Sequence, residues 1–570
     1  MKHQYLNYLL APLLVVVLAS CGGGGEAGPA PVATPPVSAV PATLAPDCGG
    51  ASCAAVDAHN YGGTGIGVWR YHNSSGAAAK IDISISGLTA GKVATLVFSN
   101  GSEAAASRPA PGVLASPVSS PALAADAGSL PGAGAEPRHA DDAHVRMLEK
   151  NRAVSAGLLR ARGGARAAAD LLGTRSAAVT RLSFSPAVGT PRSWIDNFPA
   201  TPVAYAASVQ FVCPLPSGRN VVWWVDPAIV ASGKFTPAAW AAALGAMQAS
   251  YCGDAGGLAR LTALLGDVWG AASSSFPSVI QDAPGALQDV NVVLLNVSAG
   301  SGWAGYFFGG NNLLKTASPS SNEALAFFIN ADQVKADLNF ATSTLLHEST
   351  HMVNFYQRTV ARGVDHDTWL EETSAMMTED IVVPAVVNGY NKILSERLPA
   401  YLGSGGNVSY INWPTLASAE LNYAIGGGFG AFLNRRYGLA IYQQLVTSCN
   451  DGVADTPALT SYACLDGLIK AGGGPGFSDE FARFGATVFG QLPAAGAPGG
   501  YGYPSTVAGA YTLQAMDLST LGRLPAAALA AGYAATSQTY QRDTLAAGKT
   551  SYVRSGVTVP ANTTLMLVIQ

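Results

Sequence analysis

Five consecutive residues, His347-Glu348-Ser349-Thr350-His351, carry the most specific chemistry in this 570-residue chain. On a helix, positions i and i+4 lie one above the other, so the two imidazoles converge on a single metal ion. Glu348 then reaches a water at that ion and serves as its base. The pattern points to metal-assisted hydrolysis, and zinc is the metal that paired imidazoles with a neighbouring carboxylate suit. A helix is expected here because apolar residues recur at helical spacing from Thr342 to Arg362. Thr342 or Ser343 is the candidate cap, and Gly363 lies just past the end.

A catalytic zinc centre that leaves one position for water needs a third protein ligand. The metzincin arrangement is excluded, since Met352, Val353 and Asn354 follow His351 where that motif demands Gly, and Gln357 stands where it demands His. Beyond Gly363 a second helix is predicted over Trp369 to Asp380, capped by Asp367 or Thr368. Periodicity lets either Glu371 or Glu372 turn inward. His366, just ahead of that helix, reads as a loop residue rather than a ligand.

The segments HESTHMVNFYQR and WLEETSAMMTED resemble those of the gluzincin zinc peptidases, above all the hyicolysin-type neutral metallopeptidases, and more distantly aminopeptidase N. The resemblance implies a thermolysin-like zincin catalytic domain of α+β class, zinc as cofactor and hydrolysis of peptide bonds. It implies that the third ligand is Glu372 and that Glu379, two turns along the same face, orients a ligating His from behind. Met376 occupies the place of the acid found in thermolysin itself. Tyr423-Ala424-Ile425-Gly426 is similar to the Tyr-x-x-Gly of the aminopeptidase branch, which implies that Tyr423 donates to the oxyanion, with Tyr401 and Tyr410 as competitors. No counterpart of the GAMEN amine-binding motif precedes the helix, so the expected activity is that of an endopeptidase on protein or peptide substrates.

These residues need a scaffold. Strands are predicted at Val209–Cys213, Asn220–Val225, Val290–Val297, Gly305–Phe308 and Ala326–Asn330, with helices between Pro237 and Trp269. Such a block ahead of the motif helix supplies an edge on which an extended substrate can lie. Helical signals dominate from Thr342 to about Gly490, so the peptidase domain is placed at 181–490. A small β module is expected at 55–103, from Ile66–Tyr71, Ile81–Ile85 and Val93–Phe98, and a C-terminal β accessory region at 491–570, ending in Thr564–Ile569. Residues 104–180 are rich in Ala, Pro, Gly and Ser and read as a low-complexity linker or prosegment holding one predicted helix, Ala143–Arg162.

Charged residues make up 12% of the chain and the net charge is −4, with no run of either sign, so no nucleic-acid footprint is present. Near the N-terminus, Lys2 precedes an apolar stretch, Leu9–Ala19, too short to span a bilayer. Leu18-Ala19-Ser20-Cys21 resembles the lipobox of bacterial lipoproteins. That implies a signal peptide at 1–20, a lipid anchor on Cys21 and a Gly-rich tether at 21–54, with Gly22 favouring the outer membrane. The expected protein is therefore exported and either held at the cell envelope by the lipid or released. The other six cysteines, Cys48, Cys53, Cys213, Cys252, Cys449 and Cys464, are expected to pair as sequence neighbours into three disulfides. The competing reading is an envelope-anchored binding lipoprotein with a vestigial zinc domain. A serine hydrolase is unsupported, because no Gly-x-Ser-x-Gly is present.

Overall fold

Runs of β-branched and aromatic residues between Pro191 and Asn330 assemble into a six-stranded mixed sheet. Its order is Gly305–Phe307, Leu325–Asn330, Val290–Leu295, Asn220–Val225, Val203–Pro214 and Pro191–Asp196. In the computed structural model the described residues are 43–107, 147–161, 186–281, 287–297, 301, 303–387, 389–413, 419–449, 461–522, 524–525 and 532–570. Cys21, the expected signal peptide and most of the 21–54 and 104–180 stretches lie outside them. The strands Leu325–Asn330, Val290–Leu295 and Asn220–Val225 run parallel. Their continuous apolar character follows, since helices and loops cover both faces. Gly305–Phe307 pairs antiparallel with Leu325–Asn330, Tyr306 facing Phe328, and forms an edge of the sheet.

The motif helix, Leu338–Asn354, packs against that edge strand. It starts earlier than the apolar periodicity indicates: Asp337 is the cap, its carboxylate accepting from the N–H groups of Asn339 and Phe340. The Thr342 hydroxyl instead donates back to the Leu338 carbonyl at 2.7 Å. A π-helical turn, Phe355–Val360, continues the helix. Ser349 and Thr350, the middle of the motif, turn away from the cleft. The Ser349 Oγ lies 2.7 Å from the Tyr251 hydroxyl, and the Thr350 Oγ1 lies 2.7 Å from the Thr378 Oγ1.

Thr378 belongs to the second helix, Thr368–Ile381. A third helix, Ala419–Tyr437, crosses it closely because Gly426 and Gly430 leave room. A Cβ at Gly426 would lie 2.7 Å from the Met376 Cε, and one at Gly430 2.8 Å from the Met377 Cγ. The crossing is locked at its far end by buried Asp380, which is ion-paired with Arg435 at 2.8 Å and accepts from Asn434 and Asn391.

The two outlying β stretches, expected as separate pieces, share one sheet. Its order is Ala45–Pro46, Gly67–Asn73, Thr563–Ile569, Val93–Asn100 and Ser537–Thr544, so the last strand sits between two N-terminal ones. A second layer pairs Ser551–Val559 with Ala79–Ser86. The separation at 55–103 and 491–570 therefore gives way to a sandwich built from both ends of the chain. Local periodicity reports strands but not which distant strand each one meets. Alternation divides the first sheet's side chains: Val68, Val97, Met566 and Val568 join the core of the large body, while Trp69, Leu96, Leu565 and Leu567 fill a core of the sandwich's own. Arg70 pairs with Asp479, and Arg483 with Asp47 at 3.1 Å, tying the sandwich to the helix Phe477–Phe489. Residues from Tyr501 to Leu518 pack into the large body's core rather than into an accessory piece.

The cysteines pair as 48–53, 213–252 and 449–464. Among the described residues no helix is long and apolar enough to cross a membrane.

Candidate metal centre

Three side chains converge at the face where the motif helix and the second helix meet. The Nε2 atoms of His347 and His351 lie 3.2 and 3.4 Å from one oxygen of Glu372, and the ligand atoms of all three residues fall within 4.8 Å of one another. Neighbouring ligands of a tetrahedral zinc are separated by about 3.3 Å when each bond is about 2.0–2.1 Å. The two His-to-Glu372 separations match that spacing, and two imidazoles with one carboxylate are a donor set of the kind zinc takes.

The rings are fixed from behind. His347 Nδ1 meets the Glu379 carboxylate at 3.0 Å, and His351 Nδ1 meets the Glu371 carboxylate at 3.0 Å. Each carboxylate accepts a hydrogen bond from Nδ1–H, which keeps the proton on that nitrogen and leaves the Nε2 lone pair facing the centre. Of the two acids whose direction periodicity leaves open, Glu372 turns to the His pair, while Glu371 turns outward to His351 Nδ1 and to Asn354 at 3.0 Å. Glu379 is itself held by Lys392 at 3.6 Å and Arg397 at 3.7 Å. Burial alone would raise its pKa, but these two cations prevail and hold it down at about 2.

Electrostatics around the triad follow from burial and pairing. Desolvation opposes charge on both imidazoles, yet the carboxylates of Glu372, Glu379 and Glu371 outweigh it, raising His347 and raising His351 strongly. Glu372 is held well below its ordinary value by the two imidazoles against the cost of burial. The pocket thus favours positive charge at the point where the three groups meet.

Glu348 lines the same cleft as the triad and is only 6% exposed. Burial raises its carboxyl pKa, partly countered by the two imidazoles and by a hydrogen bond from the Phe307 backbone. A buried carboxyl of raised pKa beside a metal site has the properties of a proton acceptor.

Tyr423, from the third helix, faces the triad, its ring 6.3 Å from that of His347. Trp413 packs edge-on against it at 4.8 Å, and the Arg397 guanidinium lies 5.1 Å from its centroid. The competing tyrosines are elsewhere: the Tyr401 hydroxyl donates to Gln538, and the Tyr410 hydroxyl lies 2.7 Å from the Thr373 Oγ1 in the core. His366 sits in the loop before the second helix, buried, with Nε2 on the Leu445 carbonyl at 3.0 Å, and is not among the converging ligands.

With this geometry in place, comparison with known families is decisive. A model of the Peptidase M30 family matches residues 205–570, more than half of the chain. The chain belongs to that family. Peptidase M30 is the hyicolysin family of zinc metallopeptidases, and membership implies protein or peptide substrates. The match includes the last strands of the sandwich, while a model for a domain of unknown function matches residues 46–111, which carry its N-terminal strands. No curated protein matches the chain.

Sequence reasoning considered Glu371 only as an alternative to Glu372 for the third ligand, not as the partner of His351 Nδ1, and passed over Lys392 and Arg397. One signal was available for Glu371. Two metal-bound imidazoles require two Nδ1 acceptors besides the ligand acid, and the second helix holds three glutamates: Glu371, Glu372 and Glu379.

Proposed function

We propose that this Peptidase M30 member is a zinc endopeptidase of thermolysin-like zincin architecture, with zinc held by His347, His351 and Glu372. The observation that carries the reading is the meeting of both Nε2 atoms with Glu372 in the cleft that Glu348 lines. Bound zinc supplies a water of lowered pKa and polarises the scissile carbonyl. Glu348 accepts the proton of the attacking water and delivers it to the leaving amine. Tyr423 donates its hydroxyl hydrogen bond to the oxygen that gains charge. Glu379 and Glu371 keep the two imidazoles in register. Cys21 carries the lipid that holds the exported enzyme at the cell envelope, outer membrane included.

The test separates ligand from base. Glu348→Gln is expected to keep one zinc per chain by elemental analysis and to lose casein hydrolysis, whereas Glu372→Ala is expected to lose the zinc itself. Casein cleavage by Glu348→Gln at the parental rate would overturn the assignment. Incorporation of labelled palmitate that Cys21→Ala abolishes tests the anchor.

A further inference from the structure

The edge strand beside the metal centre already has an occupant. Asn330 N–H donates to the Ala304 carbonyl, so alternate residues of the edge strand turn their backbone towards the sheet and Phe307 turns outward. Phe307 N–H bonds Glu348, while the Phe307 carbonyl accepts from Asn151 Nδ2 at 2.8 Å and Gly309 N–H donates to Asn151 Oδ1 at 2.8 Å. One primary amide thus bridges a carbonyl and the N–H two residues on. That is how a residue of an added parallel strand pairs with an edge.

Asn151 belongs to the helix at 147–161, inside the stretch read from sequence as linker or prosegment. The helix reaches both walls of the cleft. Lys150 donates to the Asn197 carbonyl at 2.6 Å, Arg152 donates to Thr368 at the start of the second helix, and the Ser155 hydroxyl lies 3.4 Å from that of Thr359. Met147, Leu148, Asn151, Arg152 and Ser155 line the same cavity as His347, Glu348 and His351. Met147 and Leu158 are buried at 3% and 4% exposure, so the contact has an apolar footing as well as a polar one. The segment falls between the two family matches, 46–111 and 205–570, and belongs to neither.

We propose that helix 147–161 is an internal occupant of the substrate cleft, with Asn151 filling the backbone hydrogen bonds that an extended peptide needs. The proposal rests on the peptidase reading for the identity of the displaced ligand. An entering strand requires the Phe307 carbonyl and the Gly309 N–H, and both are taken while Asn151 is seated. The chain therefore restrains its own activity until the helix withdraws, and any event that detaches it raises turnover.

The experiment uses the full chain, with Asn151→Ala and Arg152→Ala beside the parent. Three quantities are read: affinity of the zinc-loaded protein for the hydroxamate of a leucine dipeptide, casein hydrolysis, and amide hydrogen exchange of residues 147–161 in the metal-free protein. Loss of two hydrogen bonds of ordinary net strength shifts the seated-to-open ratio by roughly thirtyfold. Asn151→Ala is expected to bind the hydroxamate and hydrolyse casein faster or tighter by up to that factor, and to exchange faster across the helix. Arg152→Ala should do the same to a smaller degree. A helix that merely stabilised the fold would give the opposite sign in both activity and affinity. Unchanged or weaker hydroxamate binding with unchanged exchange, in a variant whose thermal unfolding matches the parent, would overturn the proposal. If Asn151→Ala fails to fold, Arg152→Ala decides by the same readings. Faster exchange with no turnover in any variant would keep the occupant and reject the peptidase reading.

Discussion

Removing Glu371 probes whether the metal centre is positioned from outside its ligands. The carboxylate accepts from His351 Nδ1 and from Asn354 Nδ2, both at 3.0 Å, and its side chain is 23% exposed. In Glu371→Ala the His351 ring loses the partner that fixes its tautomer, but water can enter the exposed site as a substitute. Outer partners of metal-bound imidazoles are worth 10–100-fold in metal affinity, about 1.4–2.7 kcal/mol. Partial exposure places Glu371 at the lower end, about tenfold. Glu379 makes the same contact to His347 at 3.0 Å with a side chain 0% exposed. Water cannot readily replace it, and Lys392 and Arg397 lose a buried counter-charge. Glu379→Ala is therefore expected near the hundredfold limit, with a further loss of about 3 kcal/mol in folding stability. Competition against a zinc-binding dye measures the first quantity, and urea unfolding of the metal-free proteins the second. The reasoning fails if Glu371→Ala binds zinc within twofold of the parent, or if Glu379→Ala loses less affinity than Glu371→Ala.

Asp365, in the loop ahead of the second helix, has its carboxyl pushed up to about 7 by burial and by Glu371. Its folded pKa lies above the unfolded value of about 3.9, so its stabilising contribution is full below that value and is lost as pH rises through about 7. Melting temperature should therefore fall between pH 5 and pH 8, and Asp365→Asn should flatten the decline; an equal slope in both proteins would refute this. Arg435→Met leaves the Asp380 carboxylate buried without its cation and should cost about 3–5 kcal/mol by denaturant titration. A loss under about 1 kcal/mol would show the pair to be dispensable. The Cys213–Cys252 disulfide closes a separation of 39 residues. Chain entropy assigns it about 4 kcal/mol, so paired Ser substitutions should lower the urea midpoint by that amount divided by the parental m value, and an unmoved midpoint would refute the estimate.

What was legible in the sequence is what local rules govern. His347 and His351 share a face because 3.6 residues make a turn, and the second helix announces itself through Asp367, the Gly363 break and its own periodicity. The Asp337 cap was missed because the residues after it, Leu338 to Ala341, sit ahead of the strongest apolar repeat. The role of Glu371, as distinct from its candidacy as a ligand, was hidden by the single-face picture of a helix: its carboxylate reaches sideways to a neighbouring helix, a contact that spacing within one element cannot report. Lys392 and Arg397 come from a separate π-helical stretch, Ile393–Arg397 and the residue before it, and nothing in their local pattern ties them to Glu379. The pairing of Thr563–Ile569 with strands near residues 70 and 97 joins positions nearly five hundred apart, beyond the reach of any windowed pattern.

That last pairing sets an order of events for the newborn polypeptide. Gly67–Asn73 and Val93–Asn100 are made early, yet the strand that lies between them arrives only when residues 563–569 have been synthesised. Until then two apolar strands wait with open edges, which are prone to pairing with other chains. Closure joins residues of very high sequence separation and is correspondingly slow. The sheet thus records that synthesis has passed residue 569, because a chain cut short before Thr563 cannot seal it and remains exposed to quality control.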